Sequence, residues 1–250
     1  RGAGSGSPPT APGKDVSLSS DREALKADFL AAHGLADAQR VALAGDASTR
    51  RYERLVRPGR PSLIFMDQPP VESAPCPPDA TPQARRAAGY NAMARLAAGR
   101  VDAFVATAGW LRGQGLSAPE ILAHQAQDGL AVLEDLGDDL YARLIEAGQD
   151  EAPLYQDAVE VLAHLHAAAP PPVLSADGAD WPLLTYDDLA LRTGGEMFLE
   201  WWPKFAGLPP FPEDATAEWE ALWAPIRARG EAGAEVFCHR DYHAENLLWL

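Results

Sequence analysis

Strand-type and helix-type segments are segregated along this chain, and that segregation limits its fold more than any other feature. Short apolar runs of β type fall before about residue 135: Val41-Ala42-Leu43, Tyr52 to Val56, Ser62 to Met66, Pro119 to Ala123 and Leu130 to Leu133. Arg57-Pro58-Gly59-Arg60 supplies Pro-Gly turn chemistry between two of them and predicts a β-meander. Beyond about residue 139 helical spacing takes over, in Tyr155 to Ala168, Tyr186 to Ala206 and Ala217 to Arg229. The order predicts an α+β fold of two lobes, a small β-sheet lobe over 20–135 and a mainly helical lobe over 136–250. In the first lobe, Ser20-Asp21-Arg22-Glu23 reads as a capping box. The helix it opens carries Leu25, Phe29 and Leu30 on one face and stops at Gly34. Ala84 to Ala98 and Asp102 to Gln114 read as two further helices. Gln68 to Pro82 holds six prolines and reads as an irregular loop.

At 250 residues the chain can bury a full core. Its net charge of −15 argues against nucleic-acid binding and against attraction to an anionic membrane. A phosphate-bearing ligand would therefore need local cations. Two cysteines, Cys76 and Cys238, are too few for a disulfide framework, and the expected location is the reducing cytoplasm. No run approaches the roughly 18 apolar residues of a membrane span, and no signal peptide opens the chain. Residues 1–19 are rich in Gly, Ser and Pro and read as a flexible linker or tag, with a possible further domain upstream.

The last fifteen residues carry the chemistry. An apolar run, Val236-Phe237-Cys238, leads into His239-Arg240-Asp241-Tyr242-His243-Ala244-Glu245-Asn246, and a second, Leu247-Leu248-Trp249-Leu250, follows. Both runs read as strands flanking a loop. An Asp and an Asn at that separation on one loop suit phosphoryl transfer. Asp241 can accept a hydrogen bond from the attacking hydroxyl and take its proton late. Asn246 can offer a neutral carbonyl oxygen to Mg²⁺, a hard ion that prefers oxygen. His239 reads as a backbone support, and His243 as a loop or substrate contact.

Three other segments bear on the same chemistry. Gly45-Asp46-Ala47-Ser48-Thr49-Arg50-Arg51 is a small-residue turn whose backbone N–H groups could cradle phosphates, with two arginines as cations. A solvated surface turn accounts for it equally well when it is taken alone. Leu133-Glu134-Asp135-Leu136-Gly137 sits where strands give way to helices, and the backbone at Glu134 and Leu136 could meet an adenine edge. His164 and His166 are two apart on a helix, face different ways and read as structural. The tryptophans of the second half read mainly as core, with one or two near a ligand.

Together these residues resemble the aminoglycoside phosphotransferase-like branch of the protein-kinase-like fold. The resemblance rests on His239-x-Asp241-x-His243-x-x-Asn246, on Leu133 to Gly137 and on Leu162-Ala163-His164-Leu165-His166. Gly45 to Tyr52, Met66-Asp67-Gln68-Pro69-Pro70 and Phe198-Leu199-Glu200-Trp201-Trp202 are similar to a subgroup of anomeric amino-sugar kinases. These act on N-acetylmuramate and N-acetylglucosamine in bacterial peptidoglycan recycling. The resemblance implies a bilobal kinase-like protein that uses ATP and Mg²⁺ to make a sugar 1-phosphate. It implies Asp241 as base, Asn246 as metal ligand, and Gly45 to Arg51 with Glu134 and Leu136 around the nucleotide. Glu196, Trp201, Trp202 and His243 become candidate substrate contacts.

Two departures qualify this. The third strand carries no Lys and Asp102 to Gln114 no Glu, so phosphate anchoring falls to Arg50 or Arg51, and Arg51→Ala is expected to raise the KM for ATP. The family also places a second metal-binding Asp after the catalytic loop, beyond Leu250, so this 250-residue chain is expected to be inactive by itself. The alternatives are a phosphotransferase for an aminoglycoside or choline-like substrate, and a non-catalytic nucleotide-binding scaffold.

Overall fold

The computed structural model describes residues 14–44, 50–70, 76–97, 99–232 and 235–250. Helix α1, Lys14–Ala32, precedes strands β1, Gln39–Ala42, β2, Arg51–Val56, and β3, Leu63–Asp67. Helices α2, Pro82–Ala88, α3, Tyr90–Met93, and α4, Val101–Gly113, then lead to strands β4, Ile121–Gln125, and β5, Leu130–Glu134. The five strands form one sheet in the order β1-β2-β3-β5-β4, with every neighbouring pair antiparallel. The sheet ends at Glu134, next to the lobe boundary expected at 135/136.

Strand alternation gives the sheet two apolar faces. Leu55, Phe65, Leu130 and Val132 face α1 and pack on Phe29, Leu30 and Leu35. Met66, Ala131 and Leu133 face the other way, into a second core with Val101, Val105 and Ala106 of α4. That second core also takes Trp181 and Phe237, so the segment before the 239–246 loop is anchored on the α4 side.

The helical lobe contains α5, Tyr141–Glu146, α6, Glu151–Ala167, α7, Asp188–Ala206, and α8, Glu213–Glu231. It also contains a hairpin, β6, Val173–Ala176, with β7, Ala179–Pro182, where no strand was expected. The turn is Asp177-Gly178, with φ of 50° and 77°. Those positive values suit a two-residue hairpin turn that Asp-Gly satisfies. The Asp-Gly signal was present in the sequence, but three neighbouring prolines obscured it. The hairpin packs on α4 so closely that a Cβ at Gly109 would lie 2.2 Å from the Ala176 Cβ.

Three more expectations are corrected. Helix α1 begins at Lys14, so residues 14–19 are helical rather than linker, and Ser20 to Glu23 lies inside the helix. Pro12-Gly13 is the last helix-breaking pair, and nothing after it stops the turn from propagating. The helix expected over 84–98 is divided at Gly89, whose φ of 96° no helix accommodates. The runs flanking the catalytic loop are not strands. Leu248 makes a single antiparallel bridge to Leu140, and Phe237 uses its side chain in the core instead of pairing its backbone.

Candidate active site

The loop from His239 to Asn246 is held from several sides. Its carbonyls satisfy the exposed N-terminus of α5: Tyr141 N–H donates to Leu247 O and Ala142 N–H to Ala244 O, at 2.9 and 3.1 Å. Leu140, the cap of that helix, offers no side-chain acceptor, so the loop does the capping. Tyr242 donates its hydroxyl to Ala158 O of α6 at 2.7 Å, and its buried ring raises the phenol pKa. Phe237 packs on Trp110 of α4, ring centres 4.8 Å apart.

Within the loop, Asp241, His243 and Asn246 converge. Asn246 Nδ2 donates to Asp241 Oδ2 and to the Asp241 carbonyl, both at 2.9 Å. His243 Nδ1 accepts from the Glu245 N–H at 3.4 Å, and its Nε2 lies 3.1 Å from Asn246 Nδ2. The same Nε2 lies 3.1 Å from Asp241 Oδ1. Asp241 thus takes the Asn246 amide on Oδ2 and has the His243 ring beside Oδ1, while its side chain stays 74% exposed. The His239 ring stands edge-on to Tyr242. Desolvation pushes the His239 pKa down against the pull of Asp241, with His243 adding to the fall.

With its amide nitrogen turned to Asp241, Asn246 keeps Oδ1 for a hard cation. This neutral oxygen fits a Mg²⁺, which it would hold as a single protein ligand. Among the described residues no group of three or more His, Cys, Asp or Glu could hold a metal.

The hinge expectation gains concrete geometry. Glu134 turns its carboxylate to the Glu120 N–H at 3.0 Å and to Arg112 at 3.4 Å. Among the described residues the Leu136 N–H makes no hydrogen bond, so a donor is available at this edge. An open cleft of 590 Å³ lies here, lined by Glu134, Leu136, Leu250, Arg112 and the turn after α4. Sequence reasoning missed Arg54. From β2 it donates to Asp135 at 2.7 Å and to Asp138 at 2.8 Å, pinning the hinge to the sheet. Burial opposes the Asp135 charge, yet Arg54, the Ser62 hydroxyl and the Gly137 N–H outweigh it and hold the pKa low.

Gly45, Asp46, Ala47, Ser48 and Thr49 lie outside the described residues. The two arginines that follow part company. Arg51 shares the strand face of Glu53 and Leu55, toward α1. Arg50 lies over the Phe104 ring of α4, 6.0 Å from its centre, on the side where the catalytic loop is anchored. In place of a strand-borne Lys, the lobe has Lys26 of α1. Its ammonium is bonded to Glu53 at 2.9 Å and lies 3.5 Å from Asp67 on the opposite face of the sheet.

The candidate substrate residues on α7 are not gathered at the loop. Glu196 pairs with Arg192 on its own helix at 2.7 Å. Trp201 is 55% exposed, and Trp202 stacks on Phe198 at 5.8 Å. At 1.5 Å per residue, Trp201 stands about 21 Å along the helix from its N-cap. His164 bonds the Gln114 carbonyl at 2.9 Å, a structural role.

The sequence matches the phosphotransferase enzyme family (APH) over residues 39–250. It is 67% identical to the N-acetylmuramate/N-acetylglucosamine kinase of Caulobacter vibrioides, across 94% of this chain and 64% of that protein. Proteins of the same name from Pseudomonas aeruginosa and Pseudomonas putida are 27% and 29% identical, over 84% and 83% of this chain. The chain spans under two thirds of the first relative's length and about half of the other two, at 64%, 52% and 50%. With a family match that takes in the sheet, the hinge and the Asp241–Asn246 loop, the chain belongs to the APH phosphotransferase enzyme family.

Proposed function

We propose that the protein transfers the γ-phosphoryl group of ATP to the anomeric hydroxyl of N-acetylmuramate or N-acetylglucosamine. The observation that carries this reading is the Asp241–His243–Asn246 constellation, an exposed carboxylate flanked by the Asn246 amide and the His243 ring. The names of the relatives direct it to these two sugars.

The sugar hydroxyl donates to Asp241, which orients it and takes its proton as the bond to the γ-phosphorus forms and the bond to the ADP oxygen breaks. An anomeric hydroxyl is more acidic than an ordinary alcohol, so a carboxylate is a sufficient base. His243 and Asn246 keep that carboxylate from rotating. Asn246 Oδ1 would hold Mg²⁺, which would supply charge neutralisation on the phosphates. The Leu136 N–H meets the adenine edge. Arg50, rather than Arg51, anchors phosphate, because strand alternation sends Arg51 toward α1. The sugar 1-phosphate then serves peptidoglycan recycling, in the cytoplasm where ATP is available. Among the described residues no helix is long and apolar enough to cross a membrane.

The test is a phosphorylation screen of the full protein with ATP against N-acetylmuramate, N-acetylglucosamine, kanamycin and choline. A new 1-phosphate located by ³¹P NMR on either sugar supports the reading. Phosphate on kanamycin or choline alone replaces it.

A further inference from the structure

Among the described residues three non-glycines have left-handed backbone, and two of them, Arg95 at φ 56° and Arg240 at φ 70°, touch each other. Arg240 Nη1 donates to the Arg95 carbonyl at 3.0 Å. Such backbone is unfavourable for a side-chain-bearing residue and persists only where the surroundings over-determine it. Arg240 immediately precedes Asp241.

The surroundings form a closed circuit. The Arg240 guanidinium lies over the Tyr186 ring, 4.2 Å from its centre. Tyr186 adjoins Asp187, which caps α7 by accepting from the Ala190 N–H at 3.1 Å. Asp187 also takes both terminal nitrogens of Arg85, at 2.5 and 2.9 Å, and lies 3.6 Å from Arg95. Arg85 is 1% exposed and donates to the carbonyls of Ala92 and Met93, which shapes the turn that presents Arg95. The circuit returns through the Arg95 carbonyl to Arg240.

Asp241 itself is not packed. Its side chain is 74% exposed, and its neighbours His243 and Asn246 belong to the same loop and move with it. Its direction therefore depends on the loop backbone. Tyr242 fixes that backbone to α6, and Arg240 fixes it to the start of α7 and the turn at 92–95. We propose that Arg240 is a positioning residue for the base: clamped between the Tyr186 ring and the Arg95 carbonyl, it sets the direction in which Asp241 presents its carboxylate. The proposal rests on the reading of Asp241 as the base.

The test compares Arg240→Ala, Tyr186→Leu, their double variant and Tyr186→Phe in the full protein, reading kcat and the KM for ATP with N-acetylmuramate. Arg240→Ala and Tyr186→Leu should each lower kcat about tenfold, with the KM for ATP within about twofold of wild type. The double variant should lose no more than the worse single one, because both break one clamp. Tyr186→Phe keeps the ring face and should recover kcat to within about threefold. Unchanged kcat in Tyr186→Leu, additive losses, or equal losses in Leu and Phe would overturn the proposal. A wild-type protein that phosphorylates neither sugar sinks the proposed function instead. The clamp is then read from the ¹H–¹⁵N NMR signal of the Asp241 backbone amide, which both Tyr186→Leu and Arg240→Ala must move. An unmoved amide signal overturns it.

Discussion

Glu53→Gln should cost this protein about 3 kcal/mol at pH 7 and progressively less in acid. Glu53 sits on β2 under α1, its side chain 16% exposed. It accepts from Arg40 Nε and Nη2 and from Lys26 at 2.9 Å. The Arg40 hydrogen bond leads in lowering its pKa from 4.5 to about 2, with Lys26 assisting against the cost of burial. At about 1.4 kcal/mol per tenfold change, that difference favours the charged form by about 3 kcal/mol at neutral pH. Because the folded pKa lies below the unfolded one, this stability is complete above pH 4.5 and disappears as pH falls toward 2. Two-state linkage with these values leaves about 2 kcal/mol at pH 3.5 and about 0.4 kcal/mol at pH 2. Gln keeps the shape and removes the charge, so it mimics the protonated state. Urea denaturation of wild type and Glu53→Gln at pH 7 and pH 3.5 reads the difference directly. A gap below about 1 kcal/mol at pH 7, or one that does not shrink in acid, would refute the reasoning.

Asp241→Asn should lower kcat on the sugar by about 10²–10⁴-fold with nucleotide affinity retained, as base removal requires. Steady-state kinetics and nucleotide titration check both halves. Arg50→Ala should raise the KM for ATP about tenfold and by more than Arg51→Ala does; the reverse order would place the phosphates on the α1 side. Gly129→Ala should destabilise by more than about 3 kcal/mol, since φ is +70° and the added Cβ would lie 1.7 Å from the Gln68 carbonyl oxygen. Thermal denaturation reads that loss. His239 has its pKa lowered from 6.5 by desolvation, so the unfolded chain binds the proton better. Stability tied to His239 should fall as pH drops below about 6.5, and His239→Gln should flatten that limb of the pH profile.

The five strands of the sheet were legible because each is a short apolar run between turn residues, which local chemistry alone specifies. The hairpin at 173–182 was legible in Asp177-Gly178 but was overlooked beside Pro170 to Pro172. The Asp241-to-Asn246 contact was legible in the spacing because both residues lie on one short loop. The flanking strands were misread for a different reason: an apolar run becomes a strand only when a neighbour takes its backbone groups, and here Leu140 takes one bridge.

Sequence by itself determined the α+β class, and it marked Asp241, Asn246 and the 133–137 segment as candidates, since each is written in adjacent residues with their own periodicity or spacing. Tertiary structure alone decided which arginine of the Arg50-Arg51 pair faces the catalytic side, because that depends on how the sheet is sandwiched between α1 and α4. It alone brought Lys26 under the sheet and Tyr186 under Arg240. Those contacts join residues far apart in the chain through side-chain geometry, and no local pattern encodes a distance that only the folded backbone closes.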